Sequence, residues 1–471
     1  MEEVPVAPRS TDRLRAVLEP EDGERLTKSL SQLRRVLTGR RVWHVNSTRN
    51  GGGVAELLAG LVPYTCGAGI DVHWLVIDAH DGFFEVTKRL HHRLHDRAGD
   101  GGPLGAHERR LYDDALERSR SELAALADPG DVVVLHDPQT AGLVRGLVER
   151  GVHVVWRCHV GVDDAGSLAR DAWDFLRDDV AAADAYVFSR RAYVWDGLDD
   201  ARAVVMAPCI DVLTPKNAAL PVPERDAILR ASAVVPDGDG SAAPRFPRPD
   251  GSWGAVRRPV EKVEDRAVRR DAPLVVQVSR WDPLKDPVGV LRAFAATRFG
   301  DDAVELVLVG PATDGVDDDP EGAETFRGVV DARNALDADI RARVHLASVP
   351  MDDVDENAAI VNALQSRADV VVQKSLAEGF GLTVAEAMWK CRPVVASRVG
   401  GIQDQIVDGE SGVLLDDPAD VEAAGSAIAG VLGDRARAER LGRRAHQRVC
   451  DAYLPGNHFE AEAALFEHVL G

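Results

Sequence analysis

The chain has 471 residues and a net charge of −21, from 77 acidic and 56 basic side chains. That balance excludes nucleic acid and anionic membrane as general partners, so an anionic ligand needs a local basic pocket. The length fits two or three domains, and an apolar fraction of 45% suits a globular protein. Cys66, Cys158, Cys209, Cys391 and Cys450 are scattered and never form a C-x-x-C pair, which excludes a disulfide framework and a zinc site. Reduced thiols in a cytoplasmic protein are expected. The opening MEEVPVAPRSTD is acidic and lacks the apolar core of a signal peptide, and no run approaches the length of a membrane span.

Residues 1–23 are polar and proline-punctuated and are expected to form a mobile arm. Leu26, Leu30, Leu33 and Leu37 then recur at helical spacing. A strand is expected at 42–46, and Gly51-Gly52-Gly53 opens a helix over 54–61. Neither the dinucleotide nor the P-loop fingerprint fits this loop. Three glycines alone fit a flexible turn; their functional reading is close backbone approach to a ligand phosphate or sugar. Further strands at 73–77, 132–135, 152–156 and 185–188 alternate with helical patterns. Such alternation predicts a mostly parallel sheet covered by helices, with ligands bound beyond the carboxyl ends of its strands. Two polar clusters fall at those ends, His136-Asp137-Pro138-Gln139 and Arg157-Cys158-His159. A lone histidine there is most often a structural hydrogen-bonding group, but two clusters in one sheet favour a site.

CIDVLTPKN, from Cys209 to Asn217, reads as a hinge. Residues 237–262 have dense Gly and Pro and little periodicity, and are expected to be a flexible insertion. A second alternating unit places strands at 274–278, 305–309, 343–346, 370–372, 393–396 and 412–415. Arg280 and Lys285 lie across the loop after its first strand. They either neutralise a diphosphate or are two solvated surface cations. The acidic loop 317–321 fits a solvated run better than a cation site, and Gly400-Gly401 ends another strand–helix connection. Helices are expected at 418–432 and 436–453. The last, 458–470, carries an apolar face of Phe459, Ala463, Leu465, Phe466 and Val469 that must be buried.

The most informative stretch is QKSLAEGFGLTVAEAMW, from Gln373 to Trp389. It reads as a strand end, a glycine turn and a helix starting at Leu382. Free N–H groups at the helix start form an anion site. Glu378 and Glu386 flank that site, which suits a ligand carrying both phosphates and hydroxyls: phosphates on the amides, sugar hydroxyls on the carboxylates. The plainer alternative is an ordinary turn with two solvated glutamates.

Together, the E-x7-E segment with its GFGL, the earlier S-R-x4-K pair, the glycine loop and the two doubly wound units resemble the retaining GT-B glycosyltransferases of family 4. The resemblance spans nearly the whole chain apart from the N-terminal arm and 237–262. HVNSTRNGGGVAELL, FFEVTKRLHHRLH, LHDPQTAGL, WRCH, VSRWDPLKDP and QKSLAEGFGLTVAEAMWK are similar to the trehalose synthases of the glycosyl-transferring type, which resemble the trehalose phosphorylases. The long insertion, and WRCH continuing as VGVDDAGS, depart from the pattern.

The resemblance implies an α/β GT-B fold of two Rossmann-like doubly wound domains facing a central cleft. The acceptor-side domain would span 1–212 with a returning helix 456–471, and the nucleotide-sugar domain 213–455. The implied reaction is reversible, retaining transfer of glucose from ADP-, UDP- or GDP-glucose to free glucose, giving α,α-trehalose. The alternatives are a trehalose phosphorylase and a family 4 transferase with another acceptor. Arg280 and Lys285 would hold the diphosphate, and Glu386 the ribose hydroxyls. Glu378 and the amides of Gly379, Phe380, Gly381 and Leu382 would hold donor glucose and phosphate. His159 would contact the donor glucose near its 6-hydroxyl, while Gly52 and Gly53 would close on the phosphate and the acceptor. Asn46, Asp137 and Gln139 would face the acceptor. The implied partners are nucleoside diphosphate glucose, glucose and trehalose, with no nucleic acid, no membrane and a homodimeric state. No metal or other cofactor is required, and a divalent cation is at most stimulatory.

Overall fold

The computed structural model describes residues 1–49, 52–235, 240–300, 304–312 and 320–471. They divide into two units, Met1–Ile210 with Tyr453–Gly471, and Asp211–Ala452. Gly51 and the acidic residues 317–319 lie outside the described residues.

Strands of the first unit are short and mostly valine-rich, and the central ones are buried along all or nearly all of their length, the pattern of a sheet covered on both faces. They are β1 (Glu2–Glu3), β2 (Val42–Asn46), β3 (Val72–Val76), β4 (Val132–His136), β5 (His153–Cys158), β6 (Ala185–Phe188) and β7 (Ala203–Val205). Their order is β1-β3-β2-β4-β5-β6-β7, parallel except for β1, which runs antiparallel to β3. Chain order reverses between β2 and β4, so the carboxyl ends of these two strands border the crevice where such sheets take ligands.

Helix Pro455–Leu470 returns to this unit and packs on helix Pro20–Val36. Phe459, Ala463, Leu465 and Phe466 are buried there, while Val469 is half-buried. Gly456 lets the helices touch: a Cβ on it would lie 3.2 Å from the backbone nitrogen of Leu26.

The expected mobile arm is instead ordered. Glu2–Glu3 occupies the free edge of β3, Val4 N donates to Trp74 O at 2.8 Å, and helix Asp12–Val17 buries Leu14. An open strand edge offers backbone partners to a polar segment whatever its side chains.

The second unit contains β8 (Arg245–Pro247), β9 (Trp253–Ala255), β10 (Glu261–Val263), β11 (Leu274–Val278), β12 (Glu305–Pro311), β13 (Val344–Val349), β14 (Val370–Gln373), β15 (Val394–Ser397) and β16 (Val413–Leu415). The main sheet has the order β10-β13-β12-β11-β14-β15-β16, with only β10 antiparallel. Here the reversal falls between β11 and β14.

The segment expected to be a flexible insertion is largely structured where it is described. β8 and β9 form a hairpin, β10 extends the sheet, Phe246 is buried, and Arg248 pairs with Asp355 and Asp353. Cross-strand hydrogen bonds and ion pairs to a distant helix supply the order that local periodicity lacks. Among the described residues no helix is long and apolar enough to cross a membrane.

Candidate active site

In the second unit both strands at the reversal lead into candidate residues. β14 runs into Lys374 and Ser375, which are still fully buried, and the turn that follows reaches Gly381 at φ +81°. Helix Leu382–Trp389 starts there. Positive φ is cheap for glycine and strained for any other residue.

The turn is clamped by backbone and by one buried amide. Gln405 Nε2 donates to Phe380 O at 2.5 Å and to the carbonyls of Gly381 and Gly401 at 3.3 Å. Gly401 N donates to Gly379 O at 3.0 Å, and a Cβ on Gly401 would lie 2.7 Å from Phe380 Cα. Leu376 N donates to Leu284 O at 2.7 Å, joining this turn to the loop after β11.

That loop brings Lys285 to Glu378: Nζ lies 2.7 Å from Oε2, and both side chains are mostly buried. Ser375 Oγ adds a bond to Glu378 Oε2 at 3.3 Å, and Gln277 Nε2 holds Lys285 O at 2.8 Å. Asp286, at φ +47°, caps helix Pro287–Ala296 through Gly289 N and pairs with the buried Lys374. Arg280, in contrast, is 70% exposed and meets Asp282 at 3.2 Å.

Glu386 is the unusual group. It is 3% exposed, yet among the described residues Oε2 has no hydrogen-bond partner, and Oε1 lies 3.7 Å from Lys216 Nζ. Lys390 Nζ donates to Glu386 O at 3.1 Å and to Asn217 Oδ1 at 3.2 Å, and burial pulls its ammonium down to about 7. A buried, half-unsatisfied carboxylate is costly, and hydroxyl donors from a ligand would satisfy it.

The first unit gathers a second polar set at the ends of β2, β4 and β5. His44 Nδ1 lies 3.1 Å from His136 Nε2, and His136 Nδ1 lies 3.1 Å from His159 Nε2. Asp137 adopts φ +64° and accepts from His159 N at 2.7 Å, while burial raises its carboxyl to about 6. Gln139 has a buried Oε1 without a hydrogen-bond partner among the described residues. Asn46 is engaged within the unit: Trp74 Nε1 donates to Oδ1 at 2.8 Å, and its Nδ2 donates to Thr48 O at 2.7 Å. Gly52, at φ +83°, caps helix Gly53–Gly67, with open space where either glycine would carry a Cβ.

Sequence reasoning missed Gln405, Lys216, Asn217, Lys390 and His44. Only His44 left a signal, a histidine inside the otherwise apolar run VWHV. The others become partners only through tertiary contacts. Among the described residues no group of three or more His, Cys, Asp or Glu is placed to hold a metal ion.

Residues 44–195 match the family described as trehalose synthase, N-terminal domain, and residues 261–448 match glycosyl transferases group 1. The chain is 37% identical over 445 residues to a trehalose synthase of Rubrobacter xylanophilus, covering 94% of each. It is 34% identical over 438 residues to one of Pyrococcus horikoshii, covering 93% of this chain and 92% of that one. A solved UDP-forming α,α-trehalose-phosphate synthase from Burkholderia xenovorans, in complex with glucose-6-phosphate, shares the fold. Its TM-score is 0.67 at 15% identity, covering 92% of this chain and 100% of that one. The two sheets are therefore those of the GT-B fold.

Proposed function

The chain belongs to the trehalose synthase family of glycosyltransferases, and from that premise we propose that it moves glucose from a nucleoside diphosphate glucose to free glucose. The product is α,α-trehalose, formed reversibly and with retention. One observation carries this reading: a glycine turn at a helix start is followed, about one helical turn on, by the buried Glu386 carboxylate with an unpartnered oxygen. Amides and cations there suit phosphates, and the open carboxylate oxygen suits ribose hydroxyls.

Lys285 is held in place by Glu378 before any ligand arrives. With Arg280 it neutralises charge that develops on the diphosphate as the glycosidic bond breaks. Glu378 accepts hydroxyls of the donor glucose, and His159 contacts a sugar hydroxyl. Asp137 and Gln139 face the acceptor glucose. Two-carboxylate glycosidases place a nucleophile on the opposite sugar face. Here we assign no covalent enzyme intermediate: the donor phosphate oxygen takes the acceptor proton, and the protein contributes position and charge. No metal or other cofactor is required, and the enzyme works in the cytoplasm as a homodimer.

A phosphorylase would leave Glu386 Oε2 without a ribose to meet. A sugar-phosphate acceptor would want a basic cluster, for which Arg49, Lys88 and Arg89 are the candidates. Arg89 makes two 2.7 Å bonds to Asp100, and Arg49 lies 3.3 Å from Glu2. Those commitments favour the free sugar.

The test is incubation of purified protein with glucose and each of ADP-, UDP- and GDP-glucose, with phosphate plus trehalose in a parallel arm. Trehalose appearing with free nucleoside diphosphate supports the proposal and identifies the donor. Nucleotide release without a disaccharide means another acceptor. Glucose phosphate from the parallel arm alone means a phosphorylase.

A further inference from the structure

His44 lies mid-strand in β2, His136 ends the neighbouring parallel strand β4, and His159 directly follows β5, the next parallel strand. His136 stacks on His159 with ring centroids 5.4 Å apart and 19° between planes, and His44 tilts against its other side at 5.4 Å and 30°. The two nitrogen–nitrogen distances, both 3.1 Å, are hydrogen bonds. All three rings are neutral near pH 7. Burial first, then nearby charge including the buried Arg157, holds His44 at about 3 and the other two well below the usual histidine value.

A neutral imidazole carries one N–H and one bare nitrogen. Two bonds through three such rings therefore allow only two arrangements. In one, all three protons sit on Nδ1: His44 donates to His136, His136 donates to His159, and His159 Nδ1 points a donor outward. In the other, all three sit on Nε2, both bonds run the opposite way, and His159 Nδ1 is a bare acceptor. A mixed set would face two N–H groups or two lone pairs at 3.1 Å. Among the described residues the outer nitrogens, His159 Nδ1 and His44 Nε2, have no hydrogen-bond partner.

We propose that His44 and His136 are positioning residues that, through this matched row, set whether His159 Nδ1 donates to or accepts from a sugar hydroxyl. Switching is balanced. The His159 Nδ1 proton leaves to water or a ligand oxygen, the His136 Nδ1 proton moves to His159 Nε2, and the His44 Nδ1 proton moves to His136 Nε2. His44 Nε2 then takes a proton from water. The row thus lets one half-buried side chain offer either polarity without acquiring a charge. The sugar contact rests on the proposed function; the matching of the three rings does not.

The experiment is magic-angle-spinning NMR of the full chain with 15N-labelled histidine, assigned with His44→Phe, His136→Phe and His159→Phe. Without substrate, the three residues are expected to show one common tautomer, or two whole-row populations in equal proportion at all three sites. A mixed set, or a charged His136, overturns the proposal. Added glucose with the active nucleotide sugar should shift the proportions at all three together. A shift at His159 alone overturns the coupling. In His136→Phe, His159 should lose its fixed tautomer and turnover should fall at least tenfold, with the donor KM changed less. An unchanged His159 tautomer would overturn the assignment. If that variant does not fold, His44→Phe serves: His136 and His159 should still match each other. Failure of every donor to yield trehalose would sink the proposed function and leave the tautomer result standing.

Discussion

Glu386→Gln separates the ribose assignment from a general electrostatic role. The carboxylate has one oxygen without a hydrogen-bond partner and the other 3.7 Å from Lys216. A carboxylate accepts from two neighbouring hydroxyls, whereas an amide accepts from one and turns a donor toward the other. The substitution therefore removes about one charge-assisted hydrogen bond, worth roughly 1.5–3 kcal/mol, and weakens nucleotide binding by about 10- to 150-fold. In the ligand-free protein it removes a buried charge with little compensation, so the unfolding midpoint should not fall. Isothermal titration with ADP, UDP and GDP reads the affinity, and inorganic diphosphate, which has no ribose, is the control. Nucleotide affinity should drop while diphosphate affinity holds. Unchanged nucleotide affinity, or an equal loss for diphosphate, would refute the reasoning.

Lys285→Ala strips the mostly buried Glu378 of its ammonium and the diphosphate of a preorganised cation, so turnover should fall about 10²- to 10³-fold with circular dichroism unchanged. A normal rate in steady-state assays would remove Lys285 from the mechanism. Gly381→Ala forces an L side chain to φ +81°, with its Cβ 3.0 Å from Ile402 Cγ1 and 3.1 Å from Glu378 Cγ. The strain is about 1–2 kcal/mol, so calorimetry should show a midpoint lower by a few degrees, and activity should fall as Glu378 is displaced. Glu462 is buried with its carboxyl raised from 4.5 to about 7. Between those values the folded chain holds a proton that the unfolded chain has lost, so its contribution to stability falls as pH rises through that window. Glu462→Gln should flatten that part of the slope when melting points are compared at about pH 5 and pH 7.5; identical pH dependence in both proteins would contradict it.

Much of the fold was legible from one dimension because buried parallel strands advertise themselves. Runs such as VVVLH and VVVQ admit few other readings when helical patterns alternate with them. The turn from Gly379 to Leu382 was legible for a similarly local reason, since positive φ at Gly381 and close approach at Gly401 both demand glycine. The terminal helix announced its apolar face, though not the partner that covers it.

What tertiary structure alone decided is which polar groups meet. The first residues look like a mobile arm until a free strand edge captures them. Part of 237–262 looks disordered until a hairpin and distant carboxylates hold it. Lys285 and Glu378 lie 93 positions apart, His44 and His136 lie 92 apart, and both pairs are within hydrogen-bond reach. Local sequence sets backbone conformation through sterics and burial period. Hydrogen-bond partners depend instead on strand order, and the reversal of order between β2 and β4 and between β11 and β14 brings these distant residues together. The solitary oxygen of Glu386 belongs to the same class: helical spacing placed the residue on the helix, but only the packed interior decided that it would be buried and left one bond short.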